Sequence, residues 1–278
     1  MRVLGLYFFR TFALPKTYKI MRVKHLFILL CAGAIAACTD WKITGDEQSE
    51  PEWGTASLSI EEPIAEGEDL CYQIKLSIDT LSGESELAKG LAAVLRDSVL
   101  CMQGFATIQE TMNAHADSTR NEWKAEMAEI YEPELEWKES LQYYYNLEGK
   151  PVENGREDIL SYQANIECYL GGAHGSYVVQ YFNIDKETGK LLTIGDIVPA
   201  EKETEVLVAM AEQLCKDWEA DDLEDLQEKT GITMLGDLYL TNNFLIKGDS
   251  IEFLFNQYEI APYAAGLIGI TIPSPANQ

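Results

Sequence analysis

Apolar and polar residues alternate along Leu70-Cys71-Tyr72-Gln73-Ile74-Lys75-Leu76-Ser77-Ile78. Successive side chains of a β-strand point to opposite faces of the sheet, so this alternation predicts a strand with one buried face. Apolar residues at helical spacing follow, and they predict one helix over residues 84–103 and a second over residues 107–130. The chain therefore combines sheet and helix from this stretch onward.

Strand patterns dominate after residue 135. They predict strands over residues 141–147, 160–170, 177–184, 244–246, 251–255 and 267–272. A helix is predicted over residues 203–221, and Thr193-Ile194-Gly195-Asp196 predicts a capped helical turn. No regular strand–helix–strand alternation and no repeat of fixed period occurs. The predicted fold class is therefore α+β, with antiparallel sheets, helices packed on one face, and two subdomains.

The N-terminus has the order of a bacterial lipoprotein signal. Basic residues precede an apolar run over residues 26–37, and Ile35-Ala36-Ala37-Cys38 closes this run. The run is shorter than the ~20 apolar residues that span a membrane, which favours cleavage before Cys38 and lipid attachment to it. We therefore predict a signal peptide over residues 1–37 with Met21 as the true start, a lipidated flexible tether over 38–57, and subdomains over 58–182 and 183–273. The expected location is the cell envelope, in the periplasm or at the outer-membrane surface.

The chain is strongly acidic. It has 21 Lys and Arg residues against 46 Asp and Glu residues, a formal charge of −25. Six basic residues and no acidic one precede Cys38, so the cleaved chain would carry 15 basic residues against 46 acidic ones, or −31. Such a surface repels nucleic acid and attracts cationic partners. The alternative is that this charge serves solubility alone.

Four cysteines follow Cys38, namely Cys71, Cys101, Cys168 and Cys215. Their spacing includes no C-x-x-C pair, which argues against zinc and against thioredoxin-like redox chemistry. Cys71 and Cys101 are closest in sequence and form a possible disulfide, and the alternative is that they are buried free thiols. No metal and no cofactor is expected.

A glycine-rich segment with one histidine lies between two predicted strands, at Tyr169-Leu170-Gly171-Gly172-Ala173-His174-Gly175. Such a segment needs unusual backbone angles or a close backbone approach, so Gly171, Gly172, His174 and Gly175 are candidate binding residues. The alternative is a structural bend whose imidazole bonds to the backbone. No esterase, zinc-protease or phosphate-loop motif is present, and no catalytic residue is assigned.

The segment Asn256-Gln257-Tyr258-Glu259-Ile260-Ala261-Pro262-Tyr263-Ala264-Ala265-Gly266 predicts an ordered loop between two strands. Tyrosine offers a large contact area at low entropic cost, which makes Tyr258 and Tyr263 candidate binding residues. The alternative is a structural corner in which both rings complete the core.

Three blocks of this sequence resemble the C-terminal region of RsiV-type anti-sigma factors in order and spacing. The blocks are Tyr169 through Gly175, Asn183-Ile184-Asp185 with Thr188-Gly189-Lys190 and Leu192-Thr193, and Asn256 through Gly266. The resemblance covers roughly Trp53 to Pro273. It also implies an N-terminal subdomain of the type found ahead of the catalytic domain in PdaC-type peptidoglycan deacetylases. In RsiV-type proteins the corresponding extracytoplasmic region recognises lysozyme.

This sequence lacks a sigma-binding segment, a spanning helix and a deacetylase domain, so those activities are not expected. The expected function is a lipid-anchored, non-catalytic binding protein of the cell envelope. Its ligand would be lysozyme or another cationic protein, or peptidoglycan. The alternative is an enzyme or accessory module acting on cell-wall glycan, with His174 and a nearby carboxylate as an acid–base pair. The N-terminal lipid would provide the membrane contact.

Overall fold

The structure contains a six-stranded sheet and a three-stranded sheet. It is a computed structural model and describes residues 51–63, 71–132, 134, 136–171, 173–230, 232 and 238–275. Residues 48–278 form one compact unit. The predicted signal peptide, the lipidation site Cys38, residues 38–50 of the predicted tether and the candidate Gly172 lie outside the described residues.

The six-stranded sheet follows the chain, in the order β1-β2-β3-β4-β5-β6. Its strands are β1 (Trp53–Pro63), β2 (Cys71–Leu81), β3 (Tyr144–Val152), β4 (Ile159–Tyr169), β5 (Ser176–Asp185) and β6 (Leu191–Leu192). The second sheet has the order β7-β8-β9, with β7 (Phe244–Lys247), β8 (Ser250–Phe255) and β9 (Ile268–Pro273). The predicted α+β class is confirmed.

One strand pair departs from the predicted antiparallel arrangement. β2 and β3 run parallel, with Gln73 opposite Tyr144 and Ile78 opposite Gly149, while the other pairs in both sheets are antiparallel. The reason is the connection, because parallel neighbours need a long crossover and the helical residues 86–130 supply it.

The predicted helices form, and the structure adds one helix that the sequence pattern did not indicate. α1 (Glu86–Val94) starts at the N-cap Ser85 and continues into a π-helical turn, Leu95–Val99. α2 (Ile108–Ile130) starts at Thr107, which forms a capping box with Glu110. The remaining helices are α3 (Ile194–Ile197), α4 (Glu203–Asp217), α5 (Leu223–Thr230) and the 3-10 turns Lys138–Leu141, Ala200–Lys202 and Tyr263–Ala265. In the described part of the chain, no helix has both the length and the apolar character needed to cross a membrane.

Two hydrophobic cores stabilise the unit. The first lies between the six-stranded sheet and helices α1 and α2, and it includes Ile74, Leu91, Met112 and Trp123. The second lies between α4, α5 and the three-stranded sheet. The boundary predicted between residues 182 and 183 falls inside β5, and the division into two subdomains stays a prediction.

The tether predicted to reach residue 57 ends earlier than expected. β1 begins at Trp53, and residues 53–57 pair with residues 77–81 of β2. The strand was missed because small and hydroxyl residues make its alternation weak. Its core-facing residues Ala56, Leu58 and Ile60 are only half-buried against the first core.

The possible disulfide between Cys71 and Cys101 is not formed. All four cysteines of the described ranges are free thiols; Cys71 is buried, as the alternative interpretation has it, and Cys101 is partly exposed. The Sγ atom of Cys71 lies 3.6 Å from Oε1 of Glu61, and that of Cys101 lies 3.5 Å from the carbonyl oxygen of Ser98. Cys71 is the first residue of β2 and Cys101 follows the π-helical turn, so the two thiols lie on different elements and contact different residues. Burial raises the pKa of both thiols, which favours the protonated form.

His115 is a buried histidine of α2. Its Nδ1 lies 2.9 Å from the carbonyl oxygen of Leu100, and its Nε2 is buried without a hydrogen-bond partner among the described residues. Burial lowers the pKa of His115 below its ordinary value of 6.5, while the bond to Leu100 and the charge of Glu122 act in the opposite direction. The folded protein therefore favours the neutral ring.

This burial makes stability depend on pH. Below the unfolded-state pKa of 6.5 the unfolded chain binds a proton that the folded chain resists, so stability is retained above 6.5 and lost as pH falls below it. We expect the unfolding free energy of wild type relative to His115→Gln to fall in this window, with a slope approaching about 1.4 kcal/mol per pH unit. Urea unfolding of both proteins at about pH 8 and about pH 5 measures it, since effects of other groups largely cancel in the difference. A difference that stays constant with pH would contradict this role of His115.

Candidate functional site

Aromatic side chains gather at one end of the six-stranded sheet. The end is formed by the start of β3, the end of β4 and the start of β5, where Tyr144 lies opposite Tyr169 and Cys168 lies opposite Ser176. The loop over residues 170–175 joins β4 to β5, and the loop over residues 256–267 joins β8 to β9. We name the resulting group the aromatic cluster; its members are Tyr144, Tyr169, His174, Tyr258 and Tyr263.

His174 lies at the centre of this group. Its ring stacks on the ring of Tyr263, with centroids 3.7 Å apart and an interplanar angle of 20°. Its Nδ1 lies 3.1 Å from the carbonyl oxygen of Gly175, and its Nε2 lies 3.4 Å from the hydroxyl of Tyr258. The residue is exposed, so the ring is oriented by its neighbours while it remains accessible from solvent.

The two tyrosines of the second loop hold the first loop in place. The hydroxyl of Tyr263 donates a 3.0 Å hydrogen bond to the carbonyl oxygen of Gly175, across 88 residues of sequence. Tyr258 has its ring centroid 5.7 Å from that of Tyr263 and is 53% exposed. Its φ of 68° lies in the left-handed region, an uncommon conformation for a tyrosine that the surrounding loop must enforce. The candidates His174, Gly175, Tyr258 and Tyr263 are therefore brought together.

Steric contacts and backbone angles explain why the first loop contains glycine at positions 171 and 175. Gly171 has a φ of 84°, and a Cβ atom added to it would lie 3.0 Å from the hydroxyl of Tyr143. A Cβ on Gly175 would lie 3.1 Å from the carbonyl oxygen of Cys168 and 3.3 Å from the hydroxyl of Tyr144. Gly171 is therefore favoured by its backbone angle, whereas a side chain at position 175 would require its neighbours to shift by a few tenths of an ångström. Gly171 shapes the loop through its backbone.

Sequence reasoning missed Tyr144 and Tyr169. Their rings stack with centroids 6.3 Å apart, and the Tyr144 hydroxyl donates a 3.4 Å hydrogen bond to Oε1 of Glu167. Burial, and then the carboxylate of Glu167, raise the pKa of Tyr144. Tyrosines in a strand resemble packing residues, and only their position at the strand ends could have indicated a site. Glu167 is exposed and adds a negative charge beside the cluster.

Side-chain amides attach the second loop to β5. Asn256 accepts a 2.8 Å hydrogen bond from the backbone N–H of Val179 and donates one of 3.1 Å to its carbonyl oxygen. Asn243 accepts a 2.8 Å bond from the N–H of Tyr181 and donates one of 2.9 Å to the same Val179 carbonyl oxygen. These amides satisfy the edge of β5 that the short β6 leaves open. Asn256 thus fixes the start of the second loop against β5, and Asn243, directly before β7, fixes the start of that strand against β5.

One more carboxyl group lies in the second loop. Glu259 is half-buried, and burial raises its pKa, although hydrogen bonds from Asn256 oppose this. His174 has no hydrogen bond or ion pair to a carboxylate within the described residues. Across the same residues, no group of three or more His, Cys, Asp or Glu side chains is placed to hold a metal ion. The cluster is thus a surface of oriented rings with one exposed carboxylate, that of Glu167, bonded to Tyr144.

Fold and site together define an α+β module with an exposed aromatic surface. Residues 195–274 match the family described as "Protein of unknown function (DUF3298)". A crystal structure of a DUF3298 family member from Bacteroides fragilis is similar, with 21% identity, a TM-score of 0.68, and coverage of 81% of this chain and 90% of that one. A DUF3298 family protein from Pseudomonas aeruginosa has 17% identity, a TM-score of 0.52, and coverage of 80% and 91%. The comparison with curated proteins finds no match.

At these identities the two crystal structures show the shared fold and carry no statement about activity. Both comparisons extend over most of each chain, so the fold of the compact unit also occurs in proteins of Bacteroides fragilis and Pseudomonas aeruginosa. The finer resemblance to RsiV-type and PdaC-type proteins stays a prediction.

Proposed function

We propose that this chain is a binding protein of the cell envelope whose aromatic cluster holds a cationic protein, with lysozyme as the first candidate. The observation that carries the proposal is the oriented ring system in which the exposed His174 and Tyr258 contact the half-buried Tyr263. The exposed carboxylate of Glu167 adds negative charge at Tyr144 of the same cluster. A binding surface needs accessible apolar area with little freedom to lose, and this group provides both.

The rings of the cluster are already held in position before any partner binds, which supports a role in binding. Tyr263 is tied to Gly175 by its hydroxyl, and the loop that carries it is tied to β5 by Asn256. Because these rings are already fixed, a partner would lose little additional side-chain entropy on contact. Binding surfaces of this kind concentrate their energy in a few central aromatic residues.

Charge supports a cationic ligand. The chain carries a formal charge of −25, and Glu167 lies next to the Tyr144 ring system. The faces of tyrosine rings attract Lys and Arg side chains by about 0.5–2 kcal/mol, and a neighbouring carboxylate adds to this attraction. The overall negative field would raise the association rate with a basic protein in a salt-dependent way.

The contacts of His174 favour binding over acid–base catalysis. One ring nitrogen faces a backbone carbonyl oxygen, the other faces a tyrosine hydroxyl, and one ring face is covered by Tyr263. A general acid or base needs a nitrogen that can reach the reacting atom. The glycan hypothesis keeps one supporting observation, the half-exposed ring of Tyr258, and glycan fragments are the next ligands to test.

Replacing Tyr258 by alanine should weaken the affinity for lysozyme about tenfold or more, because it removes the most exposed tyrosine ring of the cluster. Calorimetric titration of the chain from Thr39 to Gln278 measures the effect. Trp53→Ala is the matched control, because it removes an aromatic ring of similar exposure, 47%, far from the cluster. Trp53 pairs with Leu81 at one end of β2, whereas Tyr144 of the cluster pairs with Gln73 near the other end. Equal affinity of wild type and Tyr258→Ala would remove the cluster from the binding surface.

The lipid attachment is a separate part of the proposal. In a bacterial host, Cys38→Ser should move the chain from the membrane fraction to the soluble fraction and abolish incorporation of labelled fatty acid. Unchanged fractionation of this variant would contradict an anchor at Cys38, and it would leave the binding measurements on the soluble chain unaffected.

A further inference from the structure

The outer edge of β1 is an open strand edge. β1 is the first strand in the order of the six-stranded sheet, and its eleven residues pair on one side with β2, from Trp53 opposite Leu81 to Pro63 opposite Cys71. No other strand of the described ranges pairs with its outer side. Backbone N–H and C=O groups of alternate residues along this edge are therefore available to an added strand.

This edge lacks the features that usually prevent strand addition. Natural edge strands are protected by charged residues, proline, bulges or short length. Residues 53–60 contain no charged residue and no proline, and their register with β2 is continuous. Acidic residues and prolines lie only outside this stretch: Pro51 and Glu52 precede it, and Glu61, Glu62 and Pro63 follow it.

Apolar side chains along the same edge remain partly uncovered. Ala56, Leu58 and Ile60 pack on the first core but are only half-buried, and Trp53 is 47% exposed on the opposite face. A strand added beside β1 would cover Leu58 and Ile60 from the side, so it would gain apolar burial together with backbone hydrogen bonds.

We propose that β1 pairs antiparallel with β1 of a second copy of this chain, giving a symmetric dimer. A two-fold axis through Ser57 places residues of the same face opposite each other, with Leu58 facing Ala56 and Ile60 facing Gly54. Glu61 then lies opposite Trp53, so the pairing over residues 53–61 brings no like charges together; Glu62 would meet Glu52 only beyond the first residue of β1. The contact is closed, because each copy uses the same edge.

The dimer is weak and its salt dependence has a definite sign. A contact made by one strand edge is smaller than the ~1,200 Å² of standard interfaces, so the dissociation constant should be on the order of 100 µM. Each copy carries a large negative charge, and salt screens their repulsion. Dimerisation should therefore strengthen as salt rises, whereas capture of a cationic protein should weaken, so the two proposals succeed or fail separately.

Analytical ultracentrifugation of the chain from Thr39 to Gln278 tests the proposal. This chain contains the whole compact unit and both of its cores. We expect the weight-average mass to rise from monomer towards dimer between about 5 µM and about 500 µM, and to rise further at high salt. A monomer at every concentration and salt level would overturn the proposal.

Charged substitutions of Ser57, the residue on the proposed two-fold axis, test whether β1 forms the contact. Ser57→Lys places two lysines opposite each other and should weaken the dimer at least tenfold, while Ser77→Lys, exposed on the same face one strand further in, should leave it unchanged. Mixing Ser57→Lys with Ser57→Glu should restore association, because opposite charges then meet. A dimer that Ser57→Lys does not affect, or a mixture that stays monomeric, would show that β1 is not the contact.

Discussion

Gly90→Ala is expected to lower the free energy of unfolding by about 2–4 kcal/mol. A Cβ atom at this position of α1 would lie 2.0 Å from the carbonyl oxygen of Gly189 and 2.7 Å from its carbonyl carbon. Both obstacles are backbone atoms, so no side-chain rotation can relieve the overlap. In a free helix the same change would stabilise by about 1 kcal/mol, and the expected sign is therefore opposite to that of helix propensity.

Thermal and urea unfolding measure this change, and the melting temperature should fall by about 5–15 °C. Gly54→Ala is the matched control, since a Cβ on Gly54 would meet no atom within 4 Å. If Gly90→Ala were as stable as wild type, the close approach of α1 to the turn over residues 185–190 would be wrong. That turn also depends on Gly189, whose φ is 68°.

Asn183→Leu should lower the free energy of unfolding by about 3 kcal/mol, because it removes a buried amide that joins the two sheets. Asn183 is 1% exposed, donates a 2.8 Å hydrogen bond to the carbonyl oxygen of Phe244 in β7, and accepts one of 2.6 Å from the hydroxyl of Ser161 in β4. Leucine keeps the volume but leaves both partners buried without Asn183. The carbonyl oxygen of Phe244 loses the bond from Asn183, and the Ser161 hydroxyl loses the bond that it donates while it keeps the one from Asn154. These two lost bonds, at roughly 1–3 kcal/mol each, outweigh the gain of burying an apolar side chain.

Chemical unfolding of single and double variants tests this chain of bonds. The double variant Ser161→Ala with Asn183→Leu should lose less free energy of unfolding than the two single variants together. The reason is that it no longer contains a Ser161 hydroxyl without its acceptor. Asn165→Ala on the neighbouring strand is the control, because Asn165 is partly exposed and, among the described residues, its side chain accepts a hydrogen bond from Gln163 of the same strand. Additive costs, or a cost of Asn183→Leu below that of the control, would contradict the proposed link.

The regular elements could be predicted because their signals are local. The alternation over residues 70–78 corresponds to β2, and the capping residues Ser85 and Thr107 start the two helices where helical spacing begins. β1 and α5 were missed for physical reasons. The first is rich in small polar residues on a sheet edge, and the second is a short acidic helix, so neither has a strong apolar period.

The site could be predicted only in pieces. His174, Tyr258 and Tyr263 were selected from two separate loops, yet nothing in their spacing indicated a shared surface. Their contact depends on Asn243 and Asn256, whose amides bond to the backbone of β5 more than 60 residues away. Such long-range side-chain bonds leave no periodic pattern in the sequence. The parallel pairing of β2 and β3 was hidden for the same reason, because a tertiary crossover determines it.

The central claim is that the acidic chain binds a cationic protein through a specific surface and not through charge alone. The most direct measurement is calorimetric titration of the chain from Thr39 to Gln278 with lysozyme, beside an unrelated basic protein of similar charge, at low and at physiological salt. Saturable binding of lysozyme alone that persists at physiological salt is the predicted result. Equal binding of both proteins that vanishes as salt rises would contradict it, because it would reduce the surface to a non-specific attractor of positive charge.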